Sequence, residues 1–393
     1  MKALALLALL SASALLLAFQ TPGDIFLDFG PNDSRYVRGF REDFEIDEPT
    51  LIHWSRDRAA VTLPFYLRSP YEVTLRFKRH IEKPAAIRLF LDGALVETFD
   101  APKQHFAVRR FRNSSPGGGL FELRLVSSSE DPRPLGLALD WMSVRPSGGF
   151  LSVIPTASAF LALLSWVGAF YFLPRVLGLG SRVSMASGGV AAACLTLSAV
   201  AHKLWPVHAA MTLGVRAHVV TLLFALFYLW RRRVEGSFFA HPVARWAVLI
   251  VCAGMAVRSF ALFHPDFYYP DVRTHSKFVS LIWTEGLPGF LSSYIENQHR
   301  HLLGLQYVAG RWVAFPYPPL LYLTIYPLSL LQLPVEDWMK LVPTALLSVE
   351  ALVLFVIGGQ LGLSRAGSLL AVLLHASARV VAFRLAVASY ASL

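Results

Sequence analysis

Residues 147–173 read SGGFLSVIPTASAFLALLSWVGAFYFL. Before Ser147-Gly148-Gly149 the chain is dense in charges of both signs, and beyond it charges fall mainly in short clusters between apolar runs. Residues 150–173 carry no charge and exceed the roughly 20 apolar residues needed to span a bilayer. The stretch therefore separates a water-facing domain from a membrane domain, with the two glycines as the hinge.

On the N-terminal side, residues 24–146 read as all-β. YEVTLRF (71–77) alternates, with Tyr71, Val73, Leu75 and Phe77 on one face and Glu72, Thr74 and Arg76 on the other. FELRL (121–125) repeats the pattern, and AAVTL and LGLALDW supply further strands. AIRLFLDGALVETF places Asp92-Gly93 between two apolar runs, the composition of a tight hairpin. SSPGGG (114–119) is a loop. Short strands with turn signals between them predict a jelly-roll-like sandwich. Residues 1–20, one lysine and a long apolar run, are a signal peptide or an anchor. The run ends in Leu-Ala-Phe-Gln, a poor cleavage site, which favours the anchor.

On the C-terminal side the fold class is a multi-pass α-helical membrane domain over 150–393. Its expected spans are 150–173, 185–204, 213–230, 246–263, 338–361 and 366–388. Between them lie a loop with interfacial helices, 264–315, and a proline-broken segment, FPYPPLLYLTIYPLSLLQL, 315–333. With the sandwich outside, the third span delivers Arg231, Arg232 and Arg233 to the cytoplasm, as the positive-inside bias prefers. The expected setting is the cell-envelope inner membrane, with the sandwich and the loop after the fourth span both exterior. The last segment carries His375, Arg379 and Arg384 where a span should be apolar, and the expectation is a truncated C-terminus.

Composition agrees. Of 393 residues 55% are hydrophobic, mean hydropathy is +0.49, and 16% are charged, against roughly 25% in soluble chains. A net charge of +10 raises nucleic acid, but the basic residues alternate along strands or flank spans, so that partner is excluded. Cys194 and Cys252 lie inside apolar runs with no zinc or disulfide spacing.

The residues that point to chemistry are HPDFYYPDVRTH, 264–275, at the mouth of the fourth span. In the bland reading Asp266 or Asp271 caps a helix and Tyr268 and Tyr269 join the aromatic belt. In the sharper one a carboxylate beside an apolar cavity is a general base. His275 then lies one helical turn beyond Asp271, with Arg273 and Lys277 close by. Cations there suit an anionic leaving group such as a lipid phosphate. His299, Arg300, His301 and Arg311 add positive charge on the same side.

An acidic residue in the first large exterior loop, interfacial helices and then PYPPLLYL resemble the GT-C superfamily of integral-membrane glycosyltransferases, such as the protein O-mannosyltransferases. DFGPNDSRYVRGF, AAVTLP, LFLDGALVETF and LGLALDWMSVRP are similar to an exterior β-domain found on bacterial GT-C-like proteins. The resemblance implies a polyprenyl-phosphate sugar donor, an acceptor glycan, lipid or protein on the exterior face, and inverting transfer with a carboxylate base. It places that base at Asp271, with Asp266 the runner-up, and a donor-cavity residue at Tyr317. Val272 stands where the family often has a second acid, so no metal is assigned and a divalent ion stays doubtful. The competing reading is a non-catalytic, membrane-anchored carbohydrate- or envelope-binding protein, or an inactive transferase fragment. In it Trp54 and Trp141 are the stacking candidates.

Overall fold

The computed structural model describes residues 2–30, 33–47, 50–79, 86–101, 105–114, 118–128, 136–149, 151–213, 242–264, 272–300, 305–308, 310–314, 319–329 and 334–377. They fall into two compact units, Met1–Ser237 with Phe263–Phe267, and Phe238–Leu262 with Tyr268–Leu393.

The first unit opens with α1 (Lys2–Gln20). Ten strands follow: β1 (Ile25–Asp28), β2 (Val37–Asp47), β3 (Thr50–Leu67), β4 (Tyr71–Lys78), β5 (Ala86–Leu91), β6 (Ala94–Asp100), β7 (Ala107–Asn113), β8 (Leu120–Ser128), β9 (Ala138–Pro146) and β10 (Val153–Pro155). Helices α2 (Ala157–Val176) and α3 (Ser181–Ala201) come next, then α4, helical over 204–213.

Strand alternation translates directly into burial. Tyr71, Val73, Leu75 and Phe77 of β4 are fully buried, and so are Leu123 of β8 and Val61 and Leu63 of β3. Asp92 and Gly93 turn the β5–β6 hairpin at φ 50° and 84°, the left-handed pair that a two-residue hairpin demands. The turn is pinned from outside. Tyr71 donates its hydroxyl to Asp92 Oδ2 at 2.6 Å, and Asn113 donates to the same oxygen at 3.2 Å.

The strands form one sheet in the order β6-β5-β8-β3-β9-β4-β7, with β1 on β9 and β2 and β10 on β3. Its two ends meet through side chains, Phe99 against Phe111 at 5.4 Å and Arg109 to Glu97 at 3.1 Å. The expected sandwich is thus a β-barrel-like sheet domain. β3, at 18 residues, is the spine that pairs with four other strands. β2 slips register against it between Arg38 and Phe40. Gly39, at φ +72°, sits there because a Cβ would lie 2.0 Å from Arg58 O.

Ser147-Gly148-Gly149 is not a free hinge. Ser147 N–H donates to Pro70 O, Arg68 N–H donates to Ser152 O, and residues 153–155 pair with β3 as β10. The helix in the expected span 150–173 therefore begins at Ala157, capped by Thr156. The sheet is bonded to the helix ends as well. Gln20, at the end of α1, donates to Val153 O at 2.7 Å, and Lys203 Nζ, after α3, donates to Thr21 O at 2.7 Å. Tyr36 OH and His208 Nδ1 of α4 are 2.7 Å apart. Helix α1 lies on α3 at Gly188, where a Cβ would meet Leu7 Cδ2 at 2.6 Å.

The second unit holds α5 (Pro242–Leu262), α6 (Val272–Ser292), α7 (Tyr294–Arg300), β11 (Leu305–Val308), β12 (Arg311–Ala314), α8 (Leu320–Ser329), α9 (Val335–Gln360) and α10 (Arg365–Ser377). Val251 of α5, Ala351 of α9 and Val372 of α10 share a core. Arg258 of α5 donates to the carbonyls of His375 and Ala376 at 2.9 and 2.8 Å, satisfying a cation inside an apolar helix.

Among the described residues five helices, α1, α2, α3, α5 and α9, are long and apolar enough to cross a membrane. The expected 213–230 span lies outside the described residues, apart from Leu213 at the end of α4. Of 366–388 the structure describes α10, 13 residues, and the remainder lies outside. Within the stretch 264–315, expected to carry interfacial helices, the described residues form α6, α7 and the β11–β12 hairpin. Helix α6 kinks at Gly286, φ 71° and ψ 163°, two residues before Pro288. The proline ring disfavours helical backbone at the residue before it, Leu287, and the glycine takes up the bend.

Candidate functional site

Of HPDFYYPDVRTH the structure describes His264 and residues 272–275, so Asp266 and Asp271 lie outside the described residues. The two ends of the motif are built very differently.

His264 packs at the base of the β-domain. Its ring is 5.1 Å from His202, in the turn after α3, and 4.6 Å from Trp205, in the first turn of α4. His202 is 6.4 Å from Phe26 of β1, and Phe26 is 5.9 Å from Trp141 of β9. An unbroken line of five half-buried rings thus runs from the sheet to the start of the acidic loop. The N–H of Trp205 is shared between His202 O at 3.2 Å and His202 Nδ1 at 3.1 Å. Nδ1 is therefore an acceptor, and the neutral ring carries its proton on Nε2.

Charged groups flank these rings. Asp24 accepts from Ser143 Oγ at 2.6 Å and from Arg145 at 2.7 and 3.0 Å. Burial opposes the Asp24 carboxylate, but the bonds from Arg145 and Ser143 outweigh it and hold its pKa below the ordinary value. Lys203 is buried beside it.

At the other end His275 is buried, 1% exposed, and its Nδ1 lies 2.8 Å from Tyr322 OH of α8. Phe278 stacks on Tyr322 at 4.9 Å, and Tyr294 is 5.4 Å from Phe278. His275 therefore sits inside the packing of α6 against α8; its expected place, one turn beyond Asp271 as electrostatic support, rests on a residue outside the described ones. Lys277, His299 and Arg311 are exposed on α6, α7 and β12. Arg273 and Arg300 lie on α6 and α7, with only their backbone described, and His301 and Tyr317 lie outside the described residues.

Tyr322 was missed because it reads as one aromatic among many in PYPPLLYL. A second missed feature is on α9, where Asp337, Lys340, Thr344 and Ser348 are all buried. Spacings of three and four put them on one face, a pattern visible in VEDWMKLVPTALLS. Trp54 is a core residue packed with Ile52 and Ala138, which removes it as a stacking platform. Trp141 stays half-exposed. Among the described residues no group of three or more His, Cys, Asp or Glu could hold a metal ion.

No family model matches the chain, and no curated protein matches it. Among solved structures it is similar to the CBM22-1 xylan-binding domain of Paenibacillus barcinonensis Xyn10C, at 14% identity over 33% of this chain and 98% of that one, TM-score 0.28. It is also similar to the CBM35 of Cellvibrio japonicus Abf62, at 13% identity over 34% and 98%, TM-score 0.26. A third is a family 35 carbohydrate-binding module of Clostridium thermocellum, at 9% identity over 32% and 99%, TM-score 0.24. Likenesses this low decide neither the family nor the ligand.

Proposed function

We propose that this protein is a membrane glycosyltransferase of GT-C type, moving a sugar from a polyprenyl-phosphate donor to an acceptor on the face that carries the β-domain. The observation that supports it most is the buried hydrogen bond between His275 and Tyr322, 2.8 Å long. It ties α6, whose first residue follows Asp271, to α8, which follows PYPP. The helices that follow the two sequence elements on which the resemblance rests thus pack against each other.

In this reading Asp271 takes the proton of an acceptor hydroxyl as that oxygen attacks the anomeric carbon. The bond from that carbon to the phosphate oxygen breaks, and the polyprenyl phosphate leaves with the electron pair. Arg273 and Lys277 stabilise the departing anion. His275, being buried, acts as a positioning residue that fixes the start of α6.

The test is transfer from a labelled polyprenyl-phosphate sugar pool in membranes, comparing the wild-type chain with Asp271→Asn and Asp266→Asn. Transfer by the wild type and its loss in Asp271→Asn at equal expression is expected. Loss of a general base lowers rate by about 10²–10⁴-fold. Undiminished transfer by Asp271→Asn, or none by the wild type from any donor, rejects the assignment.

A further inference from the structure

We propose that one edge of the β-domain, the row Ile154, Tyr66 and Leu120, rests in the headgroup layer of the bilayer, so that the partner of this face is the phospholipid surface. The inference rests on α2 spanning the membrane and not on the transferase reading.

Strand pairing sets the row. Ile154 of β10 lies opposite Tyr66 of β3, and Tyr66 lies opposite Leu120 of β8. Directly opposed residues carry their side chains on one face of a sheet. Their chain neighbours Val153, Phe65, Leu67 and Phe121 are buried, so the row itself turns outward. Ile154 and Tyr66 are half-buried, and Leu120 is 39% exposed.

An outward face in water carries polar residues, and further along the same strands charged residues do appear. On β8 the outward positions continue from Leu120 to Glu122 and Arg124, ion-paired at 2.9 Å. On β3 they run back from Tyr66 through Pro64, Thr62 and Ala60 to the exposed Arg58. A lone exposed leucine is ordinary. An isoleucine, a tyrosine and a leucine side by side reverse the pattern locally.

What lies beside the reversal is the start of α2. Ile154 stands three residues before Ala157, and the N–H of the capping Thr156 donates to Pro64 O at 2.9 Å. Three residues reach at most about 10 Å. Helix α2 has 20 residues and is apolar enough to cross a membrane; such a helix is about 30 Å long and matches the hydrocarbon thickness. Its first turn therefore marks the hydrocarbon boundary, and the row falls in the headgroup layer, where tyrosine is enriched. Arg68, exposed in the turn two residues beyond Tyr66, is held there by its N–H on Ser152 O at 3.1 Å. It brings a cation to the depth of the lipid phosphates.

The test uses the full chain in phosphatidylcholine vesicles, with Cys194 and Cys252 replaced by alanine and a fluorophore on one introduced cysteine at a time. Quenching is read with phosphatidylcholine carrying a nitroxide on its headgroup or on its acyl chain. Leu161→Cys, at a position 65% exposed on α2, reports the span. Leu120→Cys reports the row. Arg88→Cys is the control: it is exposed on the same face and lies opposite Val126, about 20 Å along the strand from Leu120. The expected result is quenching at 161 by the chain nitroxide, at 120 by the headgroup nitroxide, and at 88 by neither. If Leu120→Cys fails to fold, Gly119→Cys carries the test, because a Cβ there meets nothing within 4 Å. Quenching at 161 with none at 120 or 119 overturns the inference and leaves the span standing. No quenching at 161 rejects the span and the inference with it. Equal headgroup quenching at 88 and 120 also overturns it, since the row would then not select the contact.

Discussion

Replacing His53 with leucine tests how the β-domain holds its charges. The ring of His53 sits between two acceptors, Asp33 Oδ2 at 2.8 Å from Nδ1 and Arg41 O at 2.6 Å from Nε2. The Arg41 carbonyl can only accept, so Nε2 carries a proton, and the Asp33 carboxyl facing Nδ1 favours a second proton there. Burial opposes the charge on His53, but the Asp33 carboxylate and the Arg41 carbonyl raise its pKa. Burial likewise pushes the Asp33 carboxyl up, against His53 and the N–H of Gly30; the ionised pair is what the variant tests. His53→Leu strands a buried carboxylate, at a cost of about 3–5 kcal/mol. With a urea dependence of about 2 kcal/mol per molar, the unfolding midpoint falls by roughly 1.5–2.5 M. The assay is pulse proteolysis of the full chain in detergent across a urea series. The wild type also has a signed pH response. A folded-state pKa raised above the unfolded value of about 6.5 gives stability that is complete below that value and is lost as pH rises through the folded one. A cost below about 1 kcal/mol, or wild-type stability that climbs above pH 6.5, refutes the ionised pair.

Three further outcomes follow from single contacts. Gly39→Ala sets a Cβ 2.0 Å from the Arg58 carbonyl at a positive φ, so the variant is expected not to accumulate in folded form, read as lost protease resistance of the β-domain. Tyr36→Phe removes a buried hydrogen bond to His208, and should weaken the attachment of the sheet to α4 by about 1 kcal/mol, seen as faster amide exchange in residues 33–37 with the β4 amides unchanged. Helix α1 packs on α3 and its Gln20 bonds to Val153, so protein isolated from membranes is expected to keep Lys2–Gln20, and intact mass spectrometry checks it.

The strands were legible because alternation in YEVTLRF and FELRL has one physical meaning, a buried face and a wet one, and Asp-Gly has one good use between apolar runs. The junction was not. Gly148 and Gly149 look like a hinge in sequence, yet the bonds of Ser147 and Ser152 go to Pro70 and Arg68, in the turn between β3 and β4 and far back in the chain. His275 was read from its spacing to Asp271, and spacing gives the face of a helix but not what covers it. Here Tyr322, 47 residues on, buries it. Likewise His264 belongs with His202 and Trp205, a grouping that only the turn after α3 brings about.

Transfer at Asp271 to an exterior acceptor requires the β-domain and the acidic loop to open on one face of the membrane. The direct measurement is labelling by an impermeant maleimide in sealed vesicles, with Cys194 and Cys252 replaced by alanine. Single cysteines are introduced as His105→Cys, exposed in the β-domain, and Lys277→Cys, exposed on α6. Both sites are predicted to label from the same side without permeabilisation. Labelling of one only after the vesicles are opened would contradict the shared face and, with it, the transferase reading.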